Sequence, residues 1–143
     1  MELKYIMGDE EYTKPSADIS MVTDYDQRYL GIISKIFKTN LEGWEGSAET
    51  LDDHLQKGGK IAAFWHKMNL VGAIVWKTND DTTLITQICF KKKAQRQGFG
   101  KELFAYALHK IAEDENAPKT ITVTPTPQTA NFFKKCSFTE QEL

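Results

Sequence analysis

The sequence predicts a mixed α/β fold built on a mostly antiparallel sheet that contains one parallel pair. Three observations carry this. Residues 60–66, 70–77 and 82–91 are β-rich segments separated only by Lys67-Met68-Asn69 and Asn79-Asp80-Asp81, and connections that short make an antiparallel meander. The third segment runs into a turn holding Gly98 and Gly100, after which Leu103, Phe104, Ala107, Leu108, Ile111 and Ala112 recur at helical spacing. Thr120 to Thr124 is then strand-like again, and a strand-helix-strand order makes this strand parallel to the one ending at Phe90. The chain of 143 residues is expected to form one domain, 1–143, with a core of its own.

The other elements follow in order. Leu3 to Met7 is a short strand, and an acidic connection through Pro15 is exposed. Ile19, Met21 and Val22 make a second strand, with Thr23 or Asp24 placed to cap a helix over residues 25–38. Its apolar stripe is Tyr29, Ile32, Ile33, Ile36 and Phe37. Residues 40–48, with Gly43, Trp44 and Gly46, form a loop, and residues 49–56 form a short helix ended by Gly58-Gly59. Pro118 closes the exit of the long helix, whose His109 lies off the apolar stripe and reads as solvated. Pro125 and Pro127 bend the chain into a last helix, and residues 138–142 return as a final strand.

Charge narrows the function classes. The 18 basic and 20 acidic side chains give a net charge of −2, which argues against a nucleic-acid or anionic-membrane binder. Residues 1–59 carry 12 acidic and 6 basic side chains, whereas 60–143 carry 8 and 12. That asymmetry fits a cationic ligand on the acidic half, and fits two solvated surfaces equally well. Cys89 and Cys136 are too few for a disulfide framework, and His54, His66 and His109 lack ligand spacing, so no metal is expected. No apolar run is long enough to span a bilayer and no leader segment opens the chain, so a cytoplasmic protein with reduced thiols is expected.

The chemistry centres on Gln95-Arg96-Gln97-Gly98-Phe99-Gly100-Lys101. Glycines two apart let a ligand approach the backbone, and the first-turn N–H groups of the next helix have no internal partners. With the helix dipole this makes an anion site, to which Arg96 and Lys101 add formal charge. A P-loop is excluded because Gln95 and Glu102 hold the places of its first glycine and its hydroxyl, and a dinucleotide fingerprint because Leu103 replaces its third glycine. What remains, Gln95-x-x-Gly98-x-Gly100 after a strand, resembles the acyl-CoA pyrophosphate loop of the GNAT acyltransferase superfamily. The resemblance extends to the aromatic segment Phe132-Phe133-Lys134-Lys135-Cys136-Ser137-Phe138 and covers residues 84–138.

The resemblance implies a GNAT-like sheet of six to seven strands, flanked by about four helices, whose parallel pair splays at the cofactor cleft. It implies acetyl-CoA as co-substrate, an amine as acceptor, and a monomer or homodimer. Cofactor contacts would come from Ile88, Cys89, Phe90, Gln95, Arg96, Gln97, Gly98, Phe99, Gly100, Lys101, Thr126, Asn131 and Phe133. A main-chain N–H near Phe90 would polarise the thioester carbonyl, and Lys91-Lys92-Lys93 is either a 3′-phosphate contact or a solvated turn. Two departures stand out. The tyrosine that many members use as general acid is Phe133 here, and the strand glutamate that often serves as base is missing, with Thr86 and Gln87 in its region. Glu45 or Glu42, beside Trp44, then becomes the candidate base, with His66 as the remaining choice. Cys89 reads as core, not as a nucleophile.

Overall fold

The computed structural model describes residues 1–23 and 26–140. Its strands are β1 (Leu3–Ile6), β2 (Ile19–Met21), β3 (Lys60–His66), β4 (Asn69–Asn79), β5 (Thr82–Phe90), β6 (Thr120–Val123) and β7 (Thr139–Glu140). Its α-helices are α1 (Gln27–Asn40), α2 (Ala48–Gln56), α3 (Phe99–Glu113) and α4 (Ala130–Lys135). The strands form one seven-stranded sheet in the order β2-β3-β4-β5-β6-β1-β7. Among the described residues only β5 and β6 run parallel, as the strand-helix-strand order predicts. The Asp24 cap, the start of the first helix at residue 25 and the end of the last strand at 141–142 lie outside the described residues.

The meander forms because its turns are tight. Lys67 and Met68 both take positive φ, 50° and 68°, the backbone of a two-residue hairpin turn. The mostly buried runs of β3 and β4 are the mark of central strands covered on both faces. Side chains alternate to opposite faces. Ile61, Ala63, Ala73 and Val75 meet α1 and α2 on one side, whereas Ala62, Phe64, Ile74 and Trp76 meet α3 on the other.

Two readings need correction. On α1 the stripe contains Leu30 and leaves Ile32 39% exposed, because these residues lie about 200° apart around a helix and cannot share its buried face. His109 is not simply solvated: its Nδ1 lies 2.8 Å from the Tyr12 carbonyl and its Nε2 3.0 Å from Glu113, so it ties the segment after β1 to α3. His54 is also engaged, with Nε2 against the carbonyls of Lys60 and Trp76 at 3.2 and 3.0 Å. Among the described residues no cluster of His, Cys, Asp or Glu could hold a metal ion, and no helix is long and apolar enough to cross a membrane.

Candidate active site

The sheet opens between its two parallel strands. β6 pairs with β5 from Thr82↔Thr120 to Ile85↔Val123 and no further, while β5 continues alone on that side to Phe90. Proline explains the stop. Pro125 has no N–H to give a ladder and holds Thr124 extended. The chain then turns through Thr126 and Thr129, where the Thr126 N–H donates to Thr129 Oγ1 at 3.0 Å, and enters α4. On its other side β5 carries a bulge, because Val75 and Trp76 face Gln87 and Ile85 and leave Thr86 over. A bulge of this kind twists the strand and frees backbone groups from the ladder.

A cavity of about 220 Å³ fills the splay. Ile85, Thr86, Gln87 and Ile88 form one wall, and Val123 to Thr126 form the other. Phe133 lies beneath at 2% exposure, packed edge-on against Phe132 and Phe138. The loop between α1 and α2 brings Glu42 and Trp44 to the same cavity. Trp44 also packs edge-on against Phe37, with ring centres 5.4 Å apart, and a Cβ on Gly46 would strike its indole. The loop is therefore held by its tryptophan.

Past Phe90 the chain makes a 3-10 turn at Lys92–Ala94 and reaches Gly98, the N-cap of α3. Gly98 has φ +81° with open space where a Cβ would stand, and Arg96 is also left-handed at φ 63°. Alternating backbone handedness of this sort turns successive N–H groups into one concavity. The first-turn N–H groups of α3, on Phe99, Gly100 and Lys101, find no acceptor among the described residues. Gly100 is required for packing, since a Cβ there would come within 2.8 Å of the Phe132 ring. An anion-binding backbone thus lies at the end of the strand that borders the splay.

A family model described as an acetyltransferase (GNAT) domain matches residues 24–143. The chain belongs to the GNAT acetyltransferase family. Solved structures agree on the fold. A ribosomal-protein-alanine N-acetyltransferase from Brucella melitensis biovar Abortus 2308 superposes with a TM-score of 0.70 at 12% identity, covering 90% of this chain and 95% of that one. An aminoglycoside acetyltransferase from an uncultured soil metagenomic sample reaches 0.72 at 16%, covering 88% and 91%. An acetyltransferase from Trypanosoma brucei gives 0.66 at 15%, covering 90% and 96%. No curated protein sequence matches the chain.

Within this GNAT domain the candidate residues separate into groups. Glu42 lines the splay, but Glu45 is exposed outside it, because Gly43 turns the chain at φ +81° and Trp44 is anchored between them. Phe90 does not line the splay either. Its ring packs against Phe64 and Phe99, over the space left by the missing side chain of Gly72. His66 packs against Phe99, with ring centres 4.8 Å apart, away from the cavity. Asn131 is exposed on α4 and does not line the cavity, whereas Thr126 and Phe133 do.

Two loop side chains are already committed. Gln95 Nε2 donates to the Phe90 carbonyl and Gln97 Nε2 to the Lys93 carbonyl, both at 2.9 Å. Both glutamines thus brace the loop, and Phe99 stacks on Phe64 at 4.7 Å so that its ring belongs to the core. Ile88 borders the splay, whereas Cys89 is buried beneath α1, with Sγ 4.0 Å from the Ile36 carbonyl. Burial pushes the Cys89 thiol up to about 11, so it is no nucleophile at neutral pH. The residues that sequence reasoning missed, Thr124 and Thr129 beside the cavity, flank the Pro125–Pro127 turn and carry no motif of their own.

Proposed function

We propose that this chain is a single acyltransferase domain that moves an acetyl group from acetyl-CoA directly to a primary amine of a small molecule, peptide or protein. One observation carries the reading: an unpaired strand edge inside the sheet, from Thr86 to Phe90, leads straight into a backbone anion site. The residues fit such a donor. The N–H groups of Phe99, Gly100 and Lys101 would hold the pyrophosphate, Arg96 and Lys101 would add charge, and the free edge at Ile88 to Phe90 would bond pantetheine amides as an added strand does. Two acetyltransferases among the similar folds act on amine-bearing substrates by name, which is consistent with this acceptor class.

Acetyl-CoA supplies an activated thioester, and the chain supplies position, polarisation and proton transfer. Thr86 and Gln87 line the cavity, so their main-chain N–H groups join the one near Phe90 as candidates for polarising the thioester carbonyl. An alkylamine with a pKa near ~10.4 must lose a proton before attack. Glu42 is the carboxylate at the cavity and takes that proton, directly or through one water. Phe133 offers no acid, and a thiol of pKa near ~8.5 leaves without one at some cost in rate. The two free thiols suit a reducing cytoplasm.

Titration calorimetry with acetyl-CoA, on the parent and on Gly98→Asp, tests the cofactor half. Binding by the parent and its loss in the variant are expected. Release of CoA thiol across a panel of amines tests the transfer half, and Glu42→Gln should lower kcat and flatten the limb of the pH–rate profile that reports the base. A second reading, an acyl-CoA-binding module without transfer, is favoured by the buried phenyl ring of Phe133 where many members place a phenol. Tight acetyl-CoA binding with no thiol release on any amine would establish it instead.

A further inference from the structure

Apart from the splay, a cavity of about 650 Å³ forms a groove on the α1 side of the sheet. Tyr29, Ile32 and Ile36 form its helical wall, and Trp65, Met68 and Leu70 of the β3–β4 hairpin form the other. Ile32 is 39% exposed and Met68 is 93% exposed, so two of the chain's exposed large apolar side chains meet in this one groove. The wall from Tyr29 to Asn40 is about 16 Å long at the rise of an α-helix.

Its rim is cationic. Lys35, Lys91, Lys92 and Lys93 all border the groove, and no acidic residue does among the described residues. None of the four has an ion-pair partner among the described residues, although the chain as a whole carries a net −2. The triple lysine that the sequence leaves between a cofactor contact and a solvated turn thus belongs to a surface with an apolar floor.

We propose that this groove docks an acidic segment of a partner protein that carries bulky apolar side chains. Charge complementarity selects the occupant, and a floor holding Trp and Tyr offers the anchors on which such contacts concentrate. A symmetric pairing of two copies would bring lysines against lysines and is disfavoured. Nucleic acid fits less well, since single strands need free ring faces for stacking. Here the Arg28 guanidinium covers Tyr29 at 4.8 Å, and Tyr29 meets Trp65 edge-on at 5.2 Å. The proposal does not depend on acetyl transfer.

The test is fluorescence anisotropy of the full chain with a labelled peptide of about ten residues, made of Asp, Glu, Leu and Phe, long enough to fill the groove. A control peptide carries Lys at each acidic position. Binding of the acidic peptide alone is expected, weakening with salt and falling by about tenfold or more in Ile32→Glu, Lys35→Glu, both exposed changes whose melting should match the parent. Saturating acetyl-CoA should not displace the peptide. Absence of binding, equal binding of the basic peptide, or affinity unchanged in the double variant would overturn the proposal. Displacement by acetyl-CoA would assign the groove to the cofactor, and preferential binding of a single-stranded RNA oligomer would assign it to nucleic acid. Self-association of the unliganded chain that Ile32→Glu abolishes would assign it to a second copy.

Discussion

Gly98 separates stability from binding. In the folded protein it takes φ +81°, and a side chain built there meets nothing within 4 Å. An L-residue in this conformation costs roughly 1–2 kcal/mol, and Asp or Asn at the low end because both tolerate it. Asp is also a favoured N-cap and its charge suits the helix dipole, which returns roughly 0.5–1 kcal/mol. Gly98→Asp should therefore melt within a few degrees of the parent. Binding should respond differently. With the carboxylate ~5 Å from a pyrophosphate carrying two charges, and an effective dielectric of ~60 for an exposed loop, repulsion is roughly 2 kcal/mol, about thirtyfold in Kd. Gly98→Asn, equal in size and uncharged, should lose less. Calorimetric titration with acetyl-CoA at low and high salt measures all three, and the deficit of the Asp variant should shrink with salt. Equal affinity of parent and Asp variant would refute the loop as the anion site. Equal loss in Asn and Asp would refute the electrostatic account and leave only a steric one.

Three further outcomes follow from packing and protonation. Gly72→Ala places a Cβ against the ring of buried Phe90, so urea unfolding should show a loss of roughly 1–3 kcal/mol from overpacking at the base of β5. Phe133→Ala empties a site at 2% exposure, for a loss of roughly 3–5 kcal/mol in the same assay. A stable Phe133→Ala protein would contradict the packing of α4 described above. Burial holds the Cys89 proton to about 11 against 9.0 for a free thiol. The folded state keeps this proton where the unfolded chain releases it, so the contribution is intact below about pH 9 and is lost between about pH 9 and 11. Cys89→Ala should flatten that part of the stability profile, and alkylation of Cys89 in the native protein at neutral pH should be far slower than after denaturation.

Most of the fold is legible because its signals are local. The meander is written in short turns, α3 in its period and its glycine cap, and the parallel pair in the order of elements. What is not legible depends on how elements meet. Both Leu30 and Ile32 are apolar on α1, and only the position of the sheet decides which is buried. Glu42 and Glu45 are equivalent on paper until Trp44 anchors the loop between them on Phe37. Gln95 looks like a ligand contact by motif, yet its amide closes on the Phe90 carbonyl. The bulge at Thr86 leaves no mark in the sequence, since any residue can be the extra one.

The splay itself is a mismatch of strand lengths. β5 has nine residues and β6 four, and the shorter strand ends where two prolines frame the turn into α4. An unpaired strand edge at the border of a sheet is a liability, because any extended chain can add to it. Here the edge lies in the interior of the sheet, with Phe133 below and the Leu41–Trp44 loop at its mouth, so only a slender chain can reach it. Pantetheine has that form, with amides spaced along a flexible arm, and a protein strand does not. On the proposed reading, the same prolines that stop β6 leave an edge that admits pantetheine and not a protein strand. This explains why Pro125 sits at the end of a strand otherwise able to continue through Thr124.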